Sequence, residues 1–464
     1  MVMIRLLYRL LPAPLFLILL LWGSSGTPAG AGPLTPTCVY NPLVADMLDQ
    51  ASLQSWMSWI ERLSGARPVF ELGYNTFIQT RVTDLMFNGH PNARAYEYVH
   101  HLVQTWYPDQ FIEEHVYSFP SGPAKNLVLT IPGASSPEEY VLLVAHLDSA
   151  SRDSFLAPGA NDNATGSATL LEAARLFRYY SFERTVQLVW FTGEESGLIG
   201  SRAFVSQYPG GNDHHYHAVI NLDMFGWDGD GDRCFELHVG SLPASQPIGS
   251  CVVDTIQAYG LDLKHDFLTE RAITLSDHAS FWERGIGAIA ILENWTPTPD
   301  DQAPENGCQG VDRNPHYHTS RDTVAENLTP AYGFDIARAS LGAIAALATP
   351  VLECFQATPE LSIVRESPTS LSLEWDPIPG AEEYRILRSS YGCNEGWQVL
   401  DVTDSLFWSD EGLHEDWPYQ YQVEALSTGG SCVSRSSSCL SIGPPPPPRF
   451  LTTYLPIFSR WIPE

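Results

Sequence analysis

The chain is short of basic residues, of closely spaced cysteines and of long apolar runs, and each shortage excludes something. Of 464 residues only 25 are Lys or Arg, against 54 Asp or Glu, a formal charge of -29. Nucleic acids and anionic membranes are bound through basic footprints, so neither is expected as a partner. The acid excess reads as solubility outside the cell. None of the eight cysteines sits in a CxxC pair, which argues against a cysteine-held zinc site. After the first residues no segment is apolar enough to span a bilayer. Asp228-Gly-Asp-Gly-Asp232 begins like a calcium loop but lacks the downstream ligands of an EF-hand. It reads first as an ordinary turn, with calcium as the alternative.

What is present is enough for two domains and a leader. The hydrophobic fraction is 44%, with 13 Trp, which supplies a sizeable core. Arg5 and Arg9 precede the apolar run Leu15 to Trp22, and Ala29-Gly30-Ala31 follows. That order describes a secretory signal peptide over 1–31, hence a secreted protein, with retention at the cell surface as a variant of the same reading. The cysteines fit an oxidising compartment. Cys234 with Cys251, and one pair among Cys393, Cys432 and Cys439, are the expected bridges.

Hydrophobic periodicity divides the remainder. Residues 45–63 predict one amphipathic helix, and Asn92 is placed to cap a second, with Tyr96, Val99 and Trp106 on its face. Phe111 to Phe119 and Ala124 to Ile131 predict strands, Ala164 to Tyr180 a helix, and Ala331 to Leu347 an alanine-rich helix. Thr323-Val-Ala-Glu326 has the form of a capping box. Past Cys354 the pattern changes to short alternating strands, at Leu371–Trp375, Glu383–Leu387 and Tyr419–Val423. They predict a β-sandwich over 357–442, with a proline-rich linker and tail at 443–464. The sandwich resembles fibronectin type III modules through Trp375, Tyr384 and the Tyr419 to Ala425 strand. It reads equally as a spacer and as a surface for cell-surface or polysaccharide contact.

Chemistry concentrates at the ends of three apolar runs. Tyr140 to Val144 ends at His146, Val186 to Phe191 delivers Glu194 and Glu195, and Ala218 to Asn221 delivers Asp223. A turn at Pro158-Gly159 presents Asp162, and His318 follows further on. Buried parallel strands of an open α/β sheet bring such ends to one crevice. The ligand set of His146, Asp162, Glu195, Asp223 and His318 suits two zinc-like ions. Five protein ligands for two four-coordinate ions require one carboxylate to bridge, with water in the remaining shared position. Glu194 then becomes the candidate general base, and Asp148, two residues beyond His146, the candidate to orient its imidazole.

These residues carry a family resemblance. His146-Leu-Asp148-Ser149, Gly159-Ala-Asn-Asp162-Asn163-Ala-Thr-Gly166, Gly193-Glu194-Glu195-Ser-Gly197, Asn221-Leu-Asp223-Met224 and Tyr317-His318-Thr319 resemble the zinc exopeptidases of the bacterial leucyl-aminopeptidase type, metallopeptidase family twenty-eight. The resemblance spans roughly 45–352. It implies an α/β fold with a phosphorylase/hydrolase-like mixed sheet sandwiched by helices, the zinc exopeptidase fold, here followed by the small all-β sandwich. It implies two co-catalytic Zn2+ ions bridged by Asp162, with His146 and Asp223 on one and Glu195 and His318 on the other. Glu194 would be the base and Tyr317 would steady the carbonyl oxygen as it gains charge.

Three departures stand out. Asn163 replaces a second aspartate, which should alter loop hydrogen bonding rather than metal count. Leu275 occupies a position where some members carry an arginine. Extra loops between Asp223 and His318, including Cys308, are placed to wall the site. Asn163-Ala-Thr165 is formally a glycosylation sequon, discounted because a glycan there would block the metal loop.

The expected activity is an extracellular zinc aminopeptidase, acting as a monomer on peptides with a free, apolar N-terminal residue. Three alternatives remain open: a carboxypeptidase on the same scaffold, a glutaminyl cyclase, and a surface-binding protein with an inert peptidase domain. The carboxypeptidase needs basic groups, and Arg152 and Arg271 are the nearest in sequence.

Overall fold

The computed structural model describes residues 38–70, 76–208, 215–297, 307–393 and 396–443. The signal peptide expected at 1–31 and the tail from 444 onward lie outside them. Ten strands precede residue 354. They are β1 (Ile112–Phe119), β2 (Gly122–Ile131), β3 (Ser136–His146), β4 (Tyr180–Phe182), β5 (Arg184–Phe191), β6 (His215–Leu222), β7 (Cys234–His238), β8 (Lys264–Leu268), β9 (Ile289–Glu293) and β10 (Pro350–Glu353). β4 and β10 pair as a short ribbon, and the other eight form one mixed sheet in the order β1-β2-β5-β3-β6-β9-β7-β8. Its centre, β5-β3-β6-β9, is parallel.

The apolar runs explain this centre, because a strand covered on both faces needs no polar alternation. Along β3, Val141, Leu143 and Ala145 pack into one layer with Trp56, Leu171 and Ile344, from helices 53–63, 165–177 and 330–348. Leu142 and Val144 point the other way, onto Phe204 and Phe281 from helices 199–207 and 278–282. The period of two thus sends alternate side chains into two cores. Helices sandwich the sheet, and four parallel strands end at one rim. Among the described residues no helix is long and apolar enough to cross a membrane.

The C-terminal strands are β11 (Leu361–Ser367), β12 (Ser370–Trp375), β13 (Glu383–Ser389), β14 (Gln398–Thr403), β15 (Phe407–Glu411), β16 (Tyr419–Leu426) and β17 (Leu440–Ile442). They form two antiparallel sheets, β11-β12-β15 and β14-β13-β16-β17. Leu373, Trp375, Tyr384, Ile386 and Tyr421 fill the space between. This unit is docked, not merely tethered. Arg178 forms a two-pronged pair with Glu424, at 2.8 and 3.0 Å, and Arg385 donates to the carbonyls of Thr105 and Trp106. Cys354–Cys432 crosses the same seam.

Several local expectations change. The helix over 45–63 is two, Pro42–Gln50 and Leu53–Leu63, because the Ser52 hydroxyl accepts from the Ser55 N–H and restarts the turn. Asn92 does not cap the next helix. Its amide donates to Gln79, and the helix Ala95–Trp106 begins after Arg94. Thr323 makes no side-chain cap bond to the short helix Val324–Asn327. The disulfides are Cys38–Cys251, Cys234–Cys308, Cys354–Cys432 and Cys393–Cys439. The expected Cys234–Cys251 bridge is therefore wrong, since Cys251 on helix 246–258 meets the N-terminal Cys38. The pair expected among the last three cysteines is present.

Candidate metal centre

His146 ends β3, Glu194 and Glu195 follow β5, and Asp223 follows β6. Asp162 reaches the same rim from a tight loop that opens helix 165–177. Gly159 enters that loop at φ +50°, and a Cβ there would lie 2.1 Å from the Asp162 carbonyl oxygen, so glycine is required. The Asp162–Asn163 peptide bond is cis. Asn163 is fully buried and donates to the Leu222 carbonyl while accepting from the Gly166 N–H. Its amide is therefore used to fix the loop, and no glycan could be attached there.

The side chains converge. His146 Nε2 lies 3.1 Å from Asp223 and 3.3 Å from Asp162. His318 Nε2 lies 2.8 Å from Glu195 and 3.3 Å from the other Asp162 oxygen. Two triads result, His146-Asp162-Asp223 and Asp162-Glu195-His318, and Asp162 belongs to both. Glu195 Oε1 is buried with no hydrogen-bond partner. An orphaned carboxylate oxygen in a buried cluster is costly unless a cation approaches it, and with Asp162 shared between the two triads the residues fit divalent ions.

The electrostatics point the same way. Burial would lower His146 and His318, but their carboxylate neighbours outweigh it, holding His146 well above its usual range and raising His318 to about 10. Burial, then the charge of Asp162, pushes Glu195 up to about 7. Glu194 is also pushed well up, first by burial and then by Asp223, Asp277 and Glu195. Without metal, protons must do part of the neutralising.

Asp148 faces the His146 imidazole and takes a second task beside it. Its carboxylate stands 3.7 Å from His146 Nδ1, and its backbone carbonyl is closer, at 3.1 Å. The carboxylate accepts from the Thr83 hydroxyl and from the backbone N–H groups of Glu194 and Glu195. It therefore pins the Glu194-Glu195 turn to the end of β3. Tyr317 stacks on His318 with ring centroids 3.7 Å apart and stays partly exposed.

Other residues of this frame carry no sequence motif. Arg81, fully buried, donates to the carbonyls of Leu63, Leu147, Pro158 and Gly159, and so ties the His146 strand end to the Asp162 loop. Asp322 accepts the N–H groups of Asn161 and Asp162 at 3.0 Å each, and burial raises it to about 7. Glu293, at the end of β9, accepts from Asn161 and from the Asn314 N–H. Only Asp322 had a sequence cue, its place four residues after His318.

The centre floors a cavity of about 370 Å3, walled by Leu198, Met224, Thr274, Leu275 and Tyr317. Cys308 is not in that wall. Its bridge to Cys234 holds the loop against β7. Neither Arg152 nor Arg271 lines the cavity. The basic residue that does is Arg202, paired with Glu283 at 2.9 Å. Asp228, Asp230 and Asp232 also approach one another, but each accepts a backbone N–H of its own turn.

Residues 126–338 match the model of Peptidase family M28. That span holds every strand end of the metal centre. A probable leucine aminopeptidase of Trichophyton verrucosum is 32% identical over 226 residues, 47% of this chain and 55% of that protein. An aminopeptidase of Pseudomonas aeruginosa is 28% identical over 193 residues, 41% of this chain and 35% of that protein. The chain thus spans about half the length, or less, of these curated relatives. The crystal structure of Legionella pneumophila LapA aminopeptidase superposes with a TM-score of 0.51 at 19% identity, covering 69% of this chain and 79% of that one. About two thirds of the chain therefore shares the fold of that solved structure, and the residues from Leu361 onward build the separate antiparallel sheets.

Proposed function

We propose that the chain is an extracellular metallo-aminopeptidase that removes apolar N-terminal residues from peptides and works as a monomer. The observation that carries this reading is the shared position of Asp162 between two histidine-carboxylate triads. His146 and Asp223 would hold one Zn2+ and Glu195 and His318 the other, both meeting on Asp162. The two ions, when bound, activate a water and polarise the scissile carbonyl.

The chain's own residues supply the rest. Glu194 takes the proton of the attacking water and returns it to the departing amine, a task suited to a carboxyl whose proton affinity is raised by burial. Asp148 keeps Glu194 in place by accepting its backbone N–H. Tyr317, stacked flat on His318, is the residue we assign to donate its hydroxyl to the oxygen that gains charge. Leu198, Met224 and Leu275 give the cavity apolar walls for the first side chain.

Arg202 supports one second reading. A guanidinium on the cavity wall can take a terminal carboxylate, which a carboxypeptidase requires. Leucine nitroanilide and its N-acetyl derivative separate the two. We expect cleavage of the free amine alone, abolished by chelator and restored by Zn2+. Cleavage of neither, with release of C-terminal residues from an N-blocked peptide, overturns the aminopeptidase in favour of the carboxypeptidase.

A further inference from the structure

A cavity larger than that of the metal centre lies elsewhere in the molecule. It lies at the seam between helices 53–63 and 95–106 and strands β13 and β16, encloses about 640 Å3, and shares no lining residue with the metal cavity. That volume is within the range of small-ligand sites. We propose that it binds an acidic saccharide, one bearing carboxylate or sulfate groups. The proposal is independent of the peptidase reading.

Charge is the first argument. The chain holds 25 basic residues against 54 acidic, yet Arg62, Arg67, Arg175 and Arg178 line this cavity with Glu424 as the one carboxylate in the lining. Arg178 is used up by Glu424 and the Tyr179 hydroxyl. Arg67 and Arg175 are not. A guanidinium carries five N–H donors, and Arg67 gives only Nη1 to Glu61, while Arg175 gives Nε and Nη2 to Glu172 and the Gln50 carbonyl. The Nε and Nη2 fork of Arg67 and the Nη1 of Arg175 remain for a planar or tetrahedral anion.

The rest of the lining suits a polyhydroxylated body. Ser52, Ser55 and Ser58 recur every three residues along one side of the helix and its cap, and present a row of hydroxyls. Trp59 and Trp106 meet edge to face, with centroids 5.9 Å apart, and give an apolar wall of the kind that packs on a sugar ring. An extended peptide finds no backbone partner here. β13 and β16 are the two inner strands of their sheet, so their N–H and C=O groups are already paired. The far wall is preformed, because Cys393–Cys439 fixes the loop after β13 to the strand at β17, so little ordering is lost on binding.

Isothermal titration of the full chain with trigalacturonate, a heparin-derived tetrasaccharide, cellotriose and triglutamate tests this. At least one acidic saccharide should bind, more weakly as salt is added, and cellotriose and triglutamate should bind at least about tenfold more weakly. Arg67→Glu reverses one charge and Ser55→Trp fills the cavity from the exposed side. Each should weaken the saccharide by at least about tenfold with an unchanged thermal midpoint. No binding of either acidic saccharide overturns the proposal, as does binding that survives both substitutions. Equal binding of cellotriose makes the site a neutral-glycan site, and equal binding of triglutamate makes it a peptide site. Either result removes the acidic saccharide.

Discussion

Two buried charged clusters sit at opposite degrees of completion. At the domain seam, Arg178 and Arg385 enclose Glu424, and both Glu424 oxygens accept hydrogen bonds from these arginines and from Ser436. At the strand rim, four carboxylates and two histidines crowd together and Glu195 Oε1 finds no partner. Both regions bear the desolvation cost of buried charge. The seam satisfies both oxygens of its carboxylate within the protein. The rim does not, and that shortfall points to something brought from outside. Burial of charge alone does not distinguish function from structure, whereas the convergence of histidines and carboxylates on one shared residue, Asp162, does.

The sharpest way to break this comparison is at Glu194. Glu194→Ala should lower kcat by about 10^2–10^4-fold with metal content and thermal midpoint retained, since proton transfer is lost and the ligands are not. Loss of bound metal, measured by elemental analysis, would instead make Glu194 a ligand. The seam should respond in the opposite way. Glu424→Gln leaves two buried guanidinium groups uncompensated and should cost about 3–5 kcal/mol in denaturant unfolding, with activity per folded molecule unchanged. A smaller effect at the rim depends on pH. In the metal-free protein His146 and His318 have raised proton affinity, so both carry protons near neutrality, and metal must displace them. Zinc affinity should therefore fall as pH is lowered, by about tenfold per unit for each proton displaced, as calorimetry in buffers of differing ionisation enthalpy would show.

What was legible in the sequence follows from chain proximity. His146, Glu194, Glu195 and Asp223 could be placed because each follows an apolar run whose end defines its position, and the structure gathers them with Asp162, Tyr317 and His318. Arg81 could not be read, because a lone arginine carries no local pattern, and its value lies in carbonyls as far as 78 positions away. Glu293 likewise ends a strand like any other carboxylate until Asn161 is brought to it. Asp148 was assigned through its strand spacing to His146, which its carboxylate faces at 3.7 Å, but its hold on the Glu194-Glu195 turn depends on contacts that only the fold makes. The Cys38–Cys251 bridge spans 213 positions, a separation that no spacing rule reaches. The helix break at Ser52 was visible in principle, as a serine that could cap, but the apolar spacing on either side concealed it.

The Cys354–Cys432 bridge ties the first residue past the α/β layer to a point near the end of the sandwich. A cut at any exposed turn in between, such as Gly380 or Gly412, leaves two pieces that are still covalently joined, both packed on the same core. The protein can thus be nicked in its C-terminal unit without shedding it. The bridge makes the backbone between those cysteines expendable in a way that the backbone around the metal centre is not.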